Sequence, residues 1–159
     1  MNTVYLLTGS NLGNRHEQLA EAMFGISKRC GKIIDSSSIY ETAAWGKTDQ
    51  NDFLNQALMI YTLLDPFALL KELLSIEKLM GRERDQKYGP RVIDIDILFF
   101  NHLVVREPGL SIPHPRLQDR RFALEPLNEI APALIHPVLH KTMRQLLEEC
   151  ADPLPVKKI

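Results

Sequence analysis

The chain has 159 residues, 45% of them apolar, and a net charge of −1. That is enough apolar material for one full core without disulfides or a structural metal. The balanced charge excludes a global basic field for nucleic acid, so any bound anion must be gripped by a local cluster.

In chain order, residues 2–8 read as a buried strand and Gly9-Ser10-Asn11-Leu12-Gly13-Asn14 as a turn. Leu19, Ala22, Met23, Ile26 and Cys30 fall at helical spacing, predicting an amphipathic helix over about 15–30 that Gly31 ends. Residues 32–41 predict a second strand with a serine-rich middle, 42–51 a polar loop and 52–63 a third strand. Asp65-Pro66 is a helix start, with aspartate as cap and proline in the first turn. Leu70, Leu73, Leu74, Ile76 and Met80 carry that helix to Gly81. A charged loop over 82–91 then precedes a strongly apolar strand over 92–100.

The order β-α-β-β-α-β predicts an α+β protein of the split βαβ, ferredoxin-like kind: an antiparallel sheet with both helices on one face. Prolines at 108, 113, 115, 126, 132 and 137 mark the last third as loops and short helices, about 121–130 and 142–149, with a frayed tail over Pro153–Ile159. No repeat or linker divides the chain, so residues 1–159 read as a single domain. Cys30 and Cys150 lack CxxC or Cys/His metal spacing and read as two reduced thiols. The N-terminus lacks the pattern of a signal peptide, and no apolar run approaches the roughly 20 residues that span a bilayer. The expectation is a cytoplasmic monomer with no membrane or nucleic-acid partner.

Side chains alternate along a strand, so Ile93, Ile95, Ile97 and Phe99 are expected on one face, turned toward the helices. Asp94 and Asp96 then share the other face, with Cα atoms roughly 7 Å apart. Two carboxylates so close repel unless a cation sits between them. Few oxygen ligands suit Mg²⁺, which keeps waters and completes its shell with phosphates, and such a pair can bridge two ions. The competing reading is a solvated face with two uninvolved acids. It is weakened because strands disfavour aspartate and these two interrupt the strongest apolar run in the chain.

Just upstream stand Arg82, Arg84, Lys87 and Arg91. Guanidinium forks bind phosphate oxygens in pairs, and a loop carrying them can close over a polyphosphate. Alone, the interleaved Glu83 and Asp85 make a solubilising loop the better reading; beside Asp94 and Asp96 the phosphate reading gains. Glu77 shares a helix face with Leu70, Leu73 and Leu74, where a carboxylate wants a partner. It either orients a loop arginine such as Arg82 from behind the site or snorkels to the surface. Farther on, Ile112-Pro113-His114-Pro115-Arg116 and Arg120-Arg121-Phe122 add a rigid turn, a histidine and more arginines. No GxxxxGK[ST], HExxH or GxSxG is present, so P-loop kinases and the common hydrolases are excluded. The turn over 9–14 can offer amides to phosphate, but shaping the strand-to-helix connection is its commoner role.

Several segments stand together in order: Gly9-Ser10-Asn11-Leu12-Gly13, Tyr40-Glu41-Thr42, Asp49-Gln50-Asn51-Asp52-Phe53-Leu54-Asn55, Gly89-Pro90-Arg91-Val92-Ile93-Asp94-Ile95-Asp96, Ile112-Pro113-His114-Pro115 and Arg120-Arg121-Phe122. In this the chain resembles the 6-hydroxymethyl-7,8-dihydropterin pyrophosphokinases of folate biosynthesis over nearly its whole length. The resemblance implies transfer of pyrophosphate from ATP to the pterin hydroxymethyl group, with AMP released. It implies two Mg²⁺ ions held by Asp94 and Asp96, and catalytic roles for these two with Arg82 and Arg91. It assigns Arg82, Arg84, Arg91, Ile97, His114 and Arg120 to ATP. It assigns Thr42, Ala43, Trp45, Phe53, Asn55, Tyr88, Asp94 and Phe122 to the pterin, with Phe53 and Phe122 on the two faces of the flat ring. Three positions depart from the family pattern: Ala43 where proline often follows the threonine, Asp85 where a basic residue often follows the second loop arginine, and Tyr88 where tryptophan commonly covers the pterin. On residues alone, a non-catalytic ligand-binding module and a two-metal phosphohydrolase stay open beside this reading.

Overall fold

The computed structural model describes residues 1–43, 51–81 and 92–159. The expected loops over 42–51 and 82–91 fall largely outside these residues, and with them Trp45, Arg82, Arg84, Tyr88 and Arg91.

Strand β1 (Asn2–Ser10) runs two residues farther than expected, taking Gly9 and Ser10 into the sheet. Helix α1 (Arg15–Arg29) starts at Asn14, whose side chain accepts from the Glu17 amide. Gly31 follows its cap at a tight crossing: a Cβ there would collide with the Tyr61 carbonyl. Strand β4 (Phe53–Thr62) pairs antiparallel with β1 along its full length. Helix α2 (Pro66–Leu79) is capped by Asp65, which accepts from the Ala68 amide at 2.9 Å. Strand β5 (Asp94–Phe100) lies on the other side of β1.

The predicted strand over 32–41 is two strands, β2 (Lys32–Ser36) and β3 (Tyr40–Thr42), both paired with β4. Ser37 divides them by turning polar groups inward. Its hydroxyl accepts from the Ala57 amide, and its carbonyl accepts from Gln56 Nε2. The main sheet has the path β5-β1-β4-β3-β8, where β8 is Val156–Lys158, with β2 also on β4. The result is an antiparallel α+β architecture, with both long helices on one face as expected.

That face holds the larger core: Val4 and Leu6 of β1, Leu58 and Ile60 of β4, and Ile95 and Ile97 of β5 meet α1 and α2. Each fully buried side chain of this kind contributes about 1.5–3 kcal/mol. The expected alternation along β5 holds only as far as Ile97. A bulge leaves Leu98 without a ladder partner on β1, because Leu6 pairs with Ile97 and Tyr5 with Phe99. Phe99 is thereby thrown onto the opposite face with Leu7 and Leu98, while Phe100 returns to the helix side.

The opposite face is covered at one end by the last third of the chain. Helices α3 (Arg121–Ile130) and α4 (Met143–Glu149) pack Ala123, Leu124, Leu127, Met143 and Leu146 against Leu7, Leu98 and Phe99. Strands β6 (Val105–Glu107) and β7 (Leu110–Ile112) form a hairpin that the sequence reading did not foresee. The tail is not frayed: β8 (Val156–Lys158) adds to the sheet beside β3, pairing Val156 with Thr42. Both cysteines are free, and burial, with Glu72 adding to it, pushes the Cys30 thiol up to about 12. Among the described residues no helix is long and apolar enough to cross a membrane.

Candidate active site

The uncovered part of that second sheet face is the floor of a cavity of about 530 Å³, a size suited to a small-molecule ligand. Cross-strand register sets its layout. Asp94 pairs with Gly9, and Gly9 with Asn55, so these three lie in one row across β5, β1 and β4. Asp96 and Leu7 form the neighbouring row, and Phe53 pairs with Thr42. Asp94 and Asn55 are two strand spacings apart, about 10 Å. Gly9 permits the close packing between them: a Cβ there would lie 2.6 Å from Asn55 Nδ2, which donates to the Thr8 carbonyl at 3.1 Å.

Thr42, Ala43, Phe53, Asn55, Asp94, Asp96, Arg120 and Phe122, all expected at the site from the sequence, line this one cavity. Thr42 is 4% exposed, and its hydroxyl has no hydrogen-bond partner among the described residues. A buried hydroxyl in that condition is costly unless a ligand engages it. Arg120 stacks over the Phe122 ring at 5.6 Å, bringing a cation to the boundary between the aromatic and charged parts. Asp94 and Asp96 occupy the strand face opposite the core. Among the described residues, no group of three or more His, Cys, Asp or Glu side chains is placed to hold a metal. Two hard carboxylates without a full protein cage fit an ion that takes the rest of its shell from water and phosphate.

Glu77 is not at the surface. It is 2% exposed on α2, and its Oε2 accepts from the Ile95 backbone amide at 2.7 Å. It therefore grips β5 between the two aspartates from the core side. Ile97 directs its side chain into the same core and not into the cavity.

His114 follows a cis Ile112-Pro113 bond, and its amide donates to the Leu98 carbonyl at 3.1 Å. Its Nδ1 accepts from the Arg116 amide at 3.3 Å, which places the ring proton on Nε2. Burial, helped by Arg120, lowers its pKa to about 4, although Asp94 opposes the shift. The unfolded chain therefore takes up this proton near the ordinary 6.5, before the folded protein does. Stability from this residue is complete above that value and is lost as pH falls toward 4. Acidification from pH 7 to pH 5 is expected to cost about 2 kcal/mol at this site. Urea unfolding of the wild type and of His114→Gln at both pH values checks it: the variant should lose less stability on acidification.

Because β1 takes in Gly9 and Ser10, residues 11–14 form the connection from β1 to α1, and its neighbourhood braces the cavity mouth. Asn11 Nδ2 donates to the Asn51 carbonyl, and Arg15 donates to the Asp52 carbonyl at 2.7 Å while pairing with Glu41 at 3.3 Å. These contacts hold the ends of β3 and β4 at the mouth of the cavity. On the far side, Tyr40 donates to Glu129 at 2.6 Å and fixes α3 to β3. Sequence reasoning did not foresee Arg116, Asp119 and the segment Asp152–Leu154 as lining residues. The first two are near-neighbours of His114 and Arg120 and were within reach of a closer reading. The third lies in the tail, where no local motif marks it.

One cavity on an antiparallel α+β frame thus brings an acidic pair and two phenylalanines together. Comparison with known proteins names the group. The chain belongs to the 7,8-dihydro-6-hydroxymethylpterin-pyrophosphokinase (HPPK) family, whose model matches residues 5–132. It is 40% identical over 160 residues to the 2-amino-4-hydroxy-6-hydroxymethyldihydropteridine pyrophosphokinase of Methylorubrum extorquens, covering 100% of this chain and 99% of that protein. The protein of the same name from Aquifex aeolicus is 41% identical over 149 residues, covering 94% and 92%. Folic acid synthesis protein FOL1 of Dictyostelium discoideum is 41% identical over 145 residues, but the chain spans only 22% of its length. Among solved structures, wild-type HPPK-DHPS of Plasmodium falciparum shares the fold, with a TM-score of 0.77 at 22% identity over 93% of this chain and 43% of that one.

Proposed function

We propose that this protein transfers pyrophosphate from ATP to the hydroxymethyl group of 6-hydroxymethyl-7,8-dihydropterin, releasing AMP, as a step of folate biosynthesis. The observation that carries the reading is the single cavity joining Asp94 and Asp96 to Thr42, Phe53, Asn55 and Phe122. A polyphosphate fits the first pair, and a planar heterocycle with a polar edge fits the second group. The strand path and the two helices on one face support the ferredoxin-like description of the fold, and two cores on the faces of one sheet support residues 1–159 as a single pyrophosphokinase domain.

In this reading the pterin ring lies between Phe53 and Phe122, with Thr42 and Asn55 on its polar edge. Ala43, Trp45 and Tyr88 are the further residues this reading assigns to the pterin. Asp94 and Asp96 would hold two Mg²⁺ ions, which when bound supply Lewis-acid neutralisation of the phosphate oxygens. Arg82 and Arg91 balance charge developing at the transferred group, Arg84 approaches in the same loop, and Arg120, neutral His114 and the backbone of Ile97 position the nucleotide. The pterin hydroxyl oxygen bonds to the β-phosphorus and releases its proton to solvent, the bond from that phosphorus to the α,β-bridging oxygen breaks, and AMP leaves carrying that oxygen. Catalysis is then mainly alignment and electrostatics. A monomer in a cytoplasmic setting, where both co-substrates are met, completes this reading.

The test is pterin dependence. With ATP and Mg²⁺, AMP is expected only when hydroxymethyldihydropterin is added. ATP breakdown without pterin would point to a phosphohydrolase, and no AMP under either condition to a non-catalytic binding module.

A further inference from the structure

We infer that the segment Asp152–Leu154 is a wall of the pterin end of the cavity, with Leu154 as a specificity-determining contact and Asp152 as the positioning residue that holds it. This deepens the reading above and rests on it.

The placement follows from register. Val156 pairs with Thr42, and the strands run antiparallel, so residues just before Val156 lie beyond Thr42 on the Ala43 side. That is the aromatic end, at the opposite side of the sheet from β5 with Asp94 and Asp96. Leu154 is half-buried and lines the cavity that Phe53, Thr42 and Phe122 also line. A leucine at that position contacts an apolar ring edge and limits what can project from it.

The segment is fixed at both ends. Downstream, β8 is held by the ladder to β3. Upstream, helix α3 has no cap from its own N-terminal residues, and Asp152 supplies one: its Oδ2 accepts from the Arg121 amide at 3.1 Å. A carboxylate there also complements the helix dipole. The Arg121 guanidinium returns to the Asp152 and Cys150 carbonyls at 3.2 and 2.9 Å. The second Asp152 oxygen, Oδ1, accepts from the Leu154 amide at 3.0 Å. One carboxylate thus ties Leu154 to the first turn of the helix that carries Phe122. The wall and the aromatic face are set by the same residue.

The test is binding of hydroxymethylpterin by calorimetry, with and without Mg²⁺ and a non-hydrolysable ATP analogue, to wild type, Leu154→Ala, Leu154→Trp and Asp152→Ala. Leu154→Ala is expected to weaken pterin binding about five- to twentyfold and to accept a pterin with an added alkyl group better than wild type does. Leu154→Trp should exclude the pterin more strongly, and Asp152→Ala should weaken it as Leu154→Ala does. The affinity for the ATP analogue should stay within twofold in the two Leu154 variants, which also reports that they are folded. If wild type binds the pterin and both Leu154 variants bind it within twofold of wild type, the wall is wrong while the function stands. If wild type binds no pterin at all, the functional reading fails and the wall falls with it.

Discussion

Replacing Asp94 or Asp96 by alanine is expected to lower turnover by about a thousandfold or more while the protein stays folded. The carboxylates lie on the cavity side of β5, and the core side of the same strand is filled by Ile95 and Ile97, which the substitutions leave untouched. The melting midpoint should therefore move by less than about 5 °C. Under the proposed function, the loss in rate follows from removing ligands to Mg²⁺ that would neutralise several phosphate charges. Such stabilisation is worth several kcal/mol in the transition state, and each 1.36 kcal/mol is tenfold in rate. Turnover measured across a Mg²⁺ titration separates the contributions. Asp→Asn variants should show weakened Mg²⁺ dependence with the side-chain volume kept. Near-normal turnover in either alanine variant would remove the basis for the metal assignment.

Glu77 carries the second large effect. Its carboxylate accepts from the Ile95 amide inside the core, so Glu77→Leu leaves that amide without this acceptor. An unsatisfied buried donor costs about 1–3 kcal/mol, which in a protein of this size lowers the melting midpoint by several degrees, about 5 °C. The same change frees the strand between Asp94 and Asp96, and turnover is expected to fall at least about tenfold, since misplacement of about 1 Å at reacting groups is costly. Glu77→Gln keeps a carbonyl oxygen for the Ile95 amide and should retain more of the stability than the leucine variant. Thermal unfolding and turnover of the two variants side by side check this. Equal stability of the two would show that the contact to Ile95 is dispensable.

Much of this architecture was legible because its signals are local. Asp65-Pro66 marks a helix start, the spacing from Leu19 to Cys30 marks another helix, and the alternation over 93–97 divides β5 into a core face and an acidic face. Strand alternation and composition pointed only to Asp94, Asp96 and the nearby arginines; Thr42, Phe53, Asn55 and Phe122 entered through the family resemblance, and these residues share one cavity with the two aspartates. What stayed hidden depends on partners far away in sequence. The break at Ser37 is set by Gln56 and Ala57, and the bulge at Leu98 by the register with β1. The burial of Glu77 is explained by the Ile95 amide, 18 residues on. The tail looked frayed because three-residue β8 has no pattern of its own and is held by β3 and Arg121. The need for glycine at position 9 was likewise invisible until β4 brought Asn55 beside it.

The most direct test of the central claim is ³¹P NMR of the protein incubated with ATP, Mg²⁺ and 6-hydroxymethyl-7,8-dihydropterin. The account predicts AMP and a pterin diphosphate in equal amounts, with both transferred phosphorus atoms from the β and γ positions. ADP with a pterin monophosphate, or inorganic phosphate products without a pterin ester, would contradict it.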